Sequence, residues 1–85
     1  MTTPTLHVYI ADDCWSCQET RRIVADVASQ FPEVKIELRD INREQPDDVF
    51  AVPTYVLNGR VIFLGNPTRE KLCQKLAALQ QPVKT

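Results

Sequence analysis

The stretch DDCWSCQETRR, residues 12–22, places two cysteines three positions apart directly after an apolar, strand-like run. A metal site, a structural crosslink and a redox couple can each use a C-x-x-C pair. The chain contains three cysteines, and an odd number argues against a purely structural pairing scheme. The sequence around the pair must therefore distinguish between the other possibilities.

Length, charge and hydropathy exclude several classes of protein. At 85 residues the chain is long enough for one hydrophobic core, so we expect a single domain over residues 1–85, frayed at 1–4 and 81–85. The formal net charge of −1, with acidic and basic residues interspersed, gives no electrostatic footprint for nucleic acid. No apolar run approaches the roughly 20 residues of a membrane span, and the N-terminus lacks the features of a signal peptide. We expect a soluble, cytoplasmic protein with reduced thiols.

The apolar pattern changes period on either side of the cysteines. Residues 6–10 alternate apolar side chains along the chain, which predicts a strand. Residues 15–31 carry an apolar stripe with helical period, and Pro32 ends it because the residue before a proline is disfavoured in a helix. Residues 34–38 alternate again. Strand, helix and strand at this spacing predict a βαβ unit with parallel strands and a right-handed crossover.

The second half has the pattern of a hairpin followed by a helix. Residues 55–57 and 61–64 are β-rich and flank Asn58-Gly59, whose two residues readily take the positive φ of a tight hairpin turn. Gly65 ends the second of these strands, and a last helix follows with Asn66 or Thr68 as its N-cap. Its predicted inward stripe comprises Leu72, Cys73, Leu76 and Leu79.

The connection between the halves is short. Residues 41–52 allow at most one helical turn, with Val49 or Phe50 shielding apolar strand residues. The sequence thus predicts an α/β fold, βαβ–ββα, with one mixed four-stranded sheet and a shortened central helix segment.

This combination resembles the thioredoxin fold, and in particular the small thioredoxin/glutaredoxin-like proteins typical of archaea and some bacteria. The resemblance covers roughly residues 5–79. A C-x-x-C motif alone is a modest signal, but its occurrence together with a correctly placed Val-Pro is specific. The motifs that carry the resemblance are the C-x-x-C after a strand, Val52-Pro53-Thr54, Asn58-Gly59 and Gly65-Asn66-Pro67-Thr68.

Disulfide exchange needs a thiolate that attacks and a second thiol that resolves the mixed disulfide. Cys14 lies where the first helix begins, so unpaired N–H groups and the positive helix end favour its thiolate, and we assign it as the nucleophile. Cys17, one turn further on, is the resolving thiol. Asp12 and Asp13 either complement the helix dipole or oppose the Cys14 thiolate and make it less acidic.

The resemblance also implies a substrate-binding surface. It implies a cis Val52-Pro53 bond packed against the cysteines, a Val52 backbone free to pair with an extended substrate, and Gly65 at the same site. Trp15 is expected to lie exposed beside the nucleophile and to contact partners. The alternatives are a trans Pro53 that opens an edge strand, and a Trp15 packed into the core.

The function implied is that of a dithiol–disulfide oxidoreductase with no bound cofactor. Its partners would be disulfide-containing proteins and, as electron donor, a reductase or a low-molecular-weight thiol; we expect a monomer. Two departures from the family pattern stand out: Trp15-Ser16 replaces the usual Gly-Pro or Pro-Tyr between the cysteines, and Val8 occupies the position of a buried aspartate in many thioredoxins.

Two other functions remain open at this stage. A glutathione-dependent, glutaredoxin-like reductase would use Val52 together with Arg69 or Arg21, although Asp12 stands where glutaredoxins tend to have a basic residue. A metal-binding or structural module without redox turnover would take four ligands from Cys14, Cys17, Cys73 and His7. Against this, Cys73 is expected on the inward stripe of the last helix as a small hydrophobe.

Overall fold

The fold consists of two helices and a four-stranded sheet. A computed structural model describes residues 3–11 and 15–78. The predicted order of strands and helices is confirmed within these ranges. In chain order the elements are β1 (Thr5–Ile10), α1 (Ser16–Ala28), β2 (Lys35–Asp40), β3 (Thr54–Leu57), β4 (Arg60–Leu64) and α2 (Arg69–Ala78). Neither of these helices is long and apolar enough to cross a membrane.

The sheet is mixed, with strand order β2-β1-β3-β4. As predicted, β1 and β2 are parallel and β3 and β4 form an antiparallel hairpin. Asn58 and Gly59 have φ values of 50° and 84°, the conformation expected for a two-residue turn that matches the twist of its strands. Asn58 also ties this turn to β1, because its side-chain Oδ1 accepts a hydrogen bond from the backbone N–H of Thr5 at 2.9 Å.

One face of the sheet packs against both helices and forms the main core. The alternate residues Leu6, Val8 and Ile10 of β1 point to this face. The helices contribute the apolar stripes that their sequences predict. The buried helical residues in this core are Cys17, Ile23, Val24 and Val27 from α1, and Leu72 and Leu76 from α2.

The opposite face of the sheet has no helix over it within residues 3–11 and 15–78. Residues 41–53 cross this side with turns only, which confirms the prediction of at most one helical turn. Of the two candidate shielding residues, Val49 is the one that is buried; it packs with Tyr9 and Val56, whereas Phe50 is 81% exposed. The small apolar cluster around Val49 therefore covers one end of this face.

The rest of the uncovered face is polar. Glu37 on β2 forms ion pairs with Lys35 at 3.1 Å and with Arg39, and it contacts His7 Nε2 at 3.1 Å. Hydrogen bonds from Lys35 and Arg39 lower the pKa of Glu37 to about 2, so its carboxylate is ionised at neutral pH. We call this group of residues the charged ladder. Since its side chains are polar and paired with one another, the face does not need an apolar cover.

Several sequence expectations need correction in detail. Val34 is buried but precedes β2, which begins at Lys35 because Val34 N–H bonds back to Phe31 O at 3.0 Å. Leu38, one of the alternating apolar residues of the predicted second strand, is 42% exposed, and β2 is an edge strand of the sheet. Cys73 is only half-buried and packs against the core from its margin. The predicted position of Leu79 lies outside the described residues.

The two helices are joined by charged contacts and α2 is capped. Arg69 at the start of α2 donates from Nε to Asp26 Oδ2 at 2.6 Å and approaches Glu19 at 3.5 Å, both on α1. Thr68 Oγ1 accepts the backbone N–H of Lys71 at 3.1 Å, so Thr68 rather than Asn66 is the N-cap residue. Asn66 is consequently available for a different set of contacts.

Candidate active site

The start of α1 carries the predicted cysteine motif. Cys14, Asp12 and Asp13 lie outside the described residues, so the nucleophile assignment and the two readings of the acidic pair stay predictions. Cys17, in the first turn of α1, is fully buried and disulfide-bonded. Trp15 is 87% exposed, which agrees with its predicted position at the surface and not with a core tryptophan.

The segment before β3 has the predicted geometry. The Val52-Pro53 peptide bond is cis, and Pro53 is buried. Thr54 Oγ1 donates to Ala51 O at 2.6 Å, which closes the turn around this bond. Among the residues that the structure describes, none hydrogen-bonds to the backbone N–H or C=O of Val52. These groups therefore meet the requirement for pairing with an added extended segment.

Gly65 and Asn66 connect this turn to the start of α1. Gly65, with φ 85°, donates its backbone N–H to Pro53 O at 2.8 Å. The next residue, Asn66, donates from Nδ2 to Ser16 O at 3.0 Å. The fold thus brings together three predicted site segments: the first turn of α1, the Val52-Pro53 turn and Gly65.

The sequence does not predict the polar network that lies at the first turns of α1. Asn66 Oδ1 accepts hydrogen bonds from Thr20 Oγ1 at 2.6 Å and from Tyr55 OH at 3.1 Å. Thr20 and Tyr55 are both fully buried. Burial raises the pKa of Tyr55 to about 12, so its hydroxyl remains a donor at any physiological pH. The sequence indicates such a network only through Thr20 and Tyr55, which are polar residues at inward positions of α1 and β3, where apolar residues are the rule.

Each of the same three segments has an exposed apolar residue at or next to it in the chain. Trp15 stands at the start of α1, Phe50 precedes the Val52-Pro53 turn, and Leu64 precedes Gly65. Phe50 is 81% exposed and Leu64 78% exposed. The sequence predicts for Phe50 only a shielding role, because a window of sequence does not show which of two adjacent apolar residues in a turn faces the core.

The residues considered for a metal site lie apart. His7 is on the uncovered sheet face, where it pairs with Glu37, and Cys17 is in the core on the other face. Cys73 is a free thiol on α2, with Sγ 3.9 Å from Gln30 Oε1. Within the described ranges no three His, Cys, Asp or Glu side chains cluster in a way that could hold a metal ion.

Of the two basic residues proposed for glutathione recognition, Arg69 is ion-paired and Arg21 is exposed. Arg69 is engaged by Asp26 and Glu19 on α1, and the hydrogen bond to Asp26 raises its pKa. Arg21 is exposed on α1. The cation nearest to the Gly65 segment along the chain is therefore already paired with carboxylates.

Comparison with known proteins agrees with this architecture. A thioredoxin of Methanocaldococcus jannaschii is 33% identical over 82 residues, covering 89% of this chain and 95% of the relative. A mutant thioredoxin from Halobacterium salinarum superimposes with a TM-score of 0.84 at 23% identity, over 98% of this chain and 80% of the other. The thioredoxin of Trypanosoma brucei brucei gives 0.75 at 24% identity, over 91% and 74%. No protein-family model matches the chain.

The sheet order, the two helices on one face and the turn before β3 define a thioredoxin fold. Together with the similarity to a thioredoxin along nearly the whole of both sequences, they show that the chain belongs to the thioredoxin family. Its general activity is accordingly that of a thiol–disulfide oxidoreductase.

Proposed function

We propose that the protein reduces or exchanges disulfides of other proteins through Cys14 and Cys17. The Cys14 thiolate attacks one sulfur of a substrate disulfide and forms a mixed disulfide, and the other substrate sulfur leaves as a thiolate that takes a proton from water. Cys17, deprotonated to solvent, then attacks Cys14 Sγ. A Cys14–Cys17 disulfide forms, the bond to substrate breaks, and two electrons have passed from the dithiol to the substrate.

The observation that carries this proposal is the arrangement around the start of α1. Cys17 is buried in the first helical turn, and hydrogen bonds through Asn66 and Gly65 join that turn to a cis Val52-Pro53 segment. The backbone of Val52, which has no hydrogen-bond partner among the described residues, supports a substrate that binds as an added strand. A helix start also favours the thiolate form of a cysteine in the position of Cys14.

Protein substrates are favoured over glutathione by the character of the surface. The exposed Trp15, Phe50 and Leu64 offer apolar contact area on all three site segments, which suits an extended peptide with apolar side chains. A glutathione carboxylate would need a free cation, and Arg69 is already paired. We further propose a cytoplasmic monomer that receives electrons from a thioredoxin-reductase-like donor or a low-molecular-weight thiol.

Trapping experiments test the assigned roles. Cys17→Ser is expected to accumulate a stable mixed disulfide with a protein substrate, because no second thiol resolves it. Cys14→Ser is expected to form none and to react slowly with alkylating agents. Mass spectrometry after acid quenching measures both products.

Cys73→Ser is the matched control, since it also removes one thiol while both motif cysteines remain. It should turn over like the wild type and keep a similar stability, because Cys73 is only half-buried. Trapping by Cys14→Ser instead of Cys17→Ser would reverse the roles. Loss of turnover in a folded Cys73→Ser protein would bring the third cysteine into the reaction.

A further inference from the structure

The side chain of Asn66 makes three hydrogen bonds to two other elements. Its Oδ1 accepts from Thr20 on α1 and from Tyr55 on β3, and its Nδ2 donates to the backbone carbonyl of Ser16. Both acceptor positions of the amide oxygen and one of its two donors are therefore used. We call Asn66, Thr20 and Tyr55 the amide network.

Two of the three residues of the amide network are buried, and their hydroxyls bond to defined protein acceptors. Thr20 and Tyr55 are fully buried, so their hydroxyls depend on protein acceptors. Thr20 has a second acceptor, Ser16 O at 3.2 Å, and the Tyr55 hydroxyl is hydrogen-bonded to Thr20 as well as to Asn66 Oδ1. Within the described ranges no buried side-chain polar atom lacks a partner. Replacement of the Asn66 amide would therefore remove the acceptor that the two buried hydroxyls share.

The network acts on the segment between the two cysteines. Ser16 is the residue before Cys17, and its carbonyl is the atom that Asn66 Nδ2 holds. On the other side, Asn66 follows Gly65, which is bonded to Pro53 at 2.8 Å. Asn66 thus joins the turn that carries the resolving thiol to the segment on which a substrate would dock.

We propose that Asn66, supported by Thr20 and Tyr55, is a positioning residue for the resolving step: it holds the first turn of α1 so that Cys17 stays within reach of Cys14 in the mixed disulfide. This inference rests on the proposed function. In that step Cys17 Sγ bonds to Cys14 Sγ, the bond from Cys14 to the substrate sulfur breaks, and the substrate thiolate takes a proton from water. The rate depends on how often the two sulfurs meet in line.

Loss of the Asn66 amide should reduce the effective concentration of Cys17 at Cys14. We expect Asn66→Ala to slow the resolving step about tenfold, since small misplacements of reacting groups have effects of this size or larger. A disulfide that closes about tenfold less readily is also easier to reduce, which corresponds to a reduction potential about 30 mV higher. The initial attack by Cys14 should change little, because it does not require Cys17 to move.

The experiment follows the two steps separately with dithiobis(nitrobenzoate) as the substrate, in a Cys73→Ser background. Attack by Cys14 releases one coloured thiolate, and resolution by Cys17 releases a second. Asn66→Ala should leave the first phase near the wild-type rate and slow the second. Thr68→Ala is the matched control: it removes a cap from α2 in the same loop, and among the described residues the Thr68 side chain makes its hydrogen bond within α2, to Lys71 N–H.

The outcomes separate this inference from the proposed function. If the wild type shows no second phase, the proposed function fails. If the wild type shows both phases and Asn66→Ala behaves like Thr68→Ala, only the positioning role is overturned. Should Asn66→Ala fail to fold, Tyr55→Phe decides the matter, since it removes one hydroxyl and keeps the ring. A slower second phase in Tyr55→Phe supports the role, and an unchanged one overturns it.

Discussion

Val49 and Phe50 are adjacent apolar residues, and the structure predicts opposite consequences for their truncation. Val49 is fully buried between Tyr9 and Val56, whereas Phe50 is 81% exposed beside the Val52-Pro53 turn. Val49→Ala removes two methyl groups, which at roughly 0.8 kcal/mol each, plus a partial cavity, should lower the free energy of unfolding by about 2 kcal/mol. For a domain of this size the melting temperature should fall by about 8–16 °C.

Phe50→Ala should leave the free energy of unfolding within about 0.5 kcal/mol of the wild type, because its side chain is already in water. The same variant should raise KM for a protein disulfide with little change in kcat, because Phe50 is expected to contact protein substrates. Urea denaturation and steady-state reduction of a protein disulfide, applied to both variants, give a two-by-two comparison. A larger loss of stability for Phe50→Ala than for Val49→Ala would refute the assignment of Val49 as the cover of this face.

Two further expectations concern the charged ladder and the hairpin. Because ion pairing with Lys35 and Arg39 lowers the pKa of Glu37 from 4.5 to about 2, its stabilising effect is complete above pH 4.5 and is lost as the pH falls through about 2. The urea midpoint of the wild type should therefore be higher than that of Glu37→Gln at pH 7, and the two midpoints should converge near pH 2. A difference between the midpoints that does not change with pH would contradict the ion pairing of Glu37. Gly59→Ala should cost about 1–2 kcal/mol from its φ of 84°, although the turn has room for a methyl group, and Arg60→Ala, at the first residue of β4 beside the turn, should cost much less.

Local patterns in the sequence were sufficient for most of the fold. The alternation around Val8 and the Asn58-Gly59 pair depend on interactions within a few residues, so strands and hairpin could be predicted directly. The cis bond at Pro53 was implied by resemblance alone, since no local property of Val52-Pro53 distinguishes it from a trans bond.

Contacts between distant residues account for what could not be predicted. Asn66 and Thr68 are both good N-cap residues, and only the packed structure shows that Thr68 caps α2 while Asn66 reaches Thr20, 46 residues away. The choice of Val49 over Phe50 as the buried residue likewise depends on where a turn without periodicity meets Tyr9. The assigned role of Cys14 remains a prediction from the motif and the helix start.

The charged ladder has a consequence for protein engineering. Within residues 3–11 and 15–78 no helix covers this side of the sheet, and grafting one between β2 and β3 would seem a simple way to enlarge the domain. Here the graft would remove Glu37, Arg39 and His7 from water, and the loss of their hydration can exceed what their mutual attraction returns. A successful graft would need apolar substitutions on the sheet before the helix is added, so the sheet face and the segment that covers it have to be redesigned together.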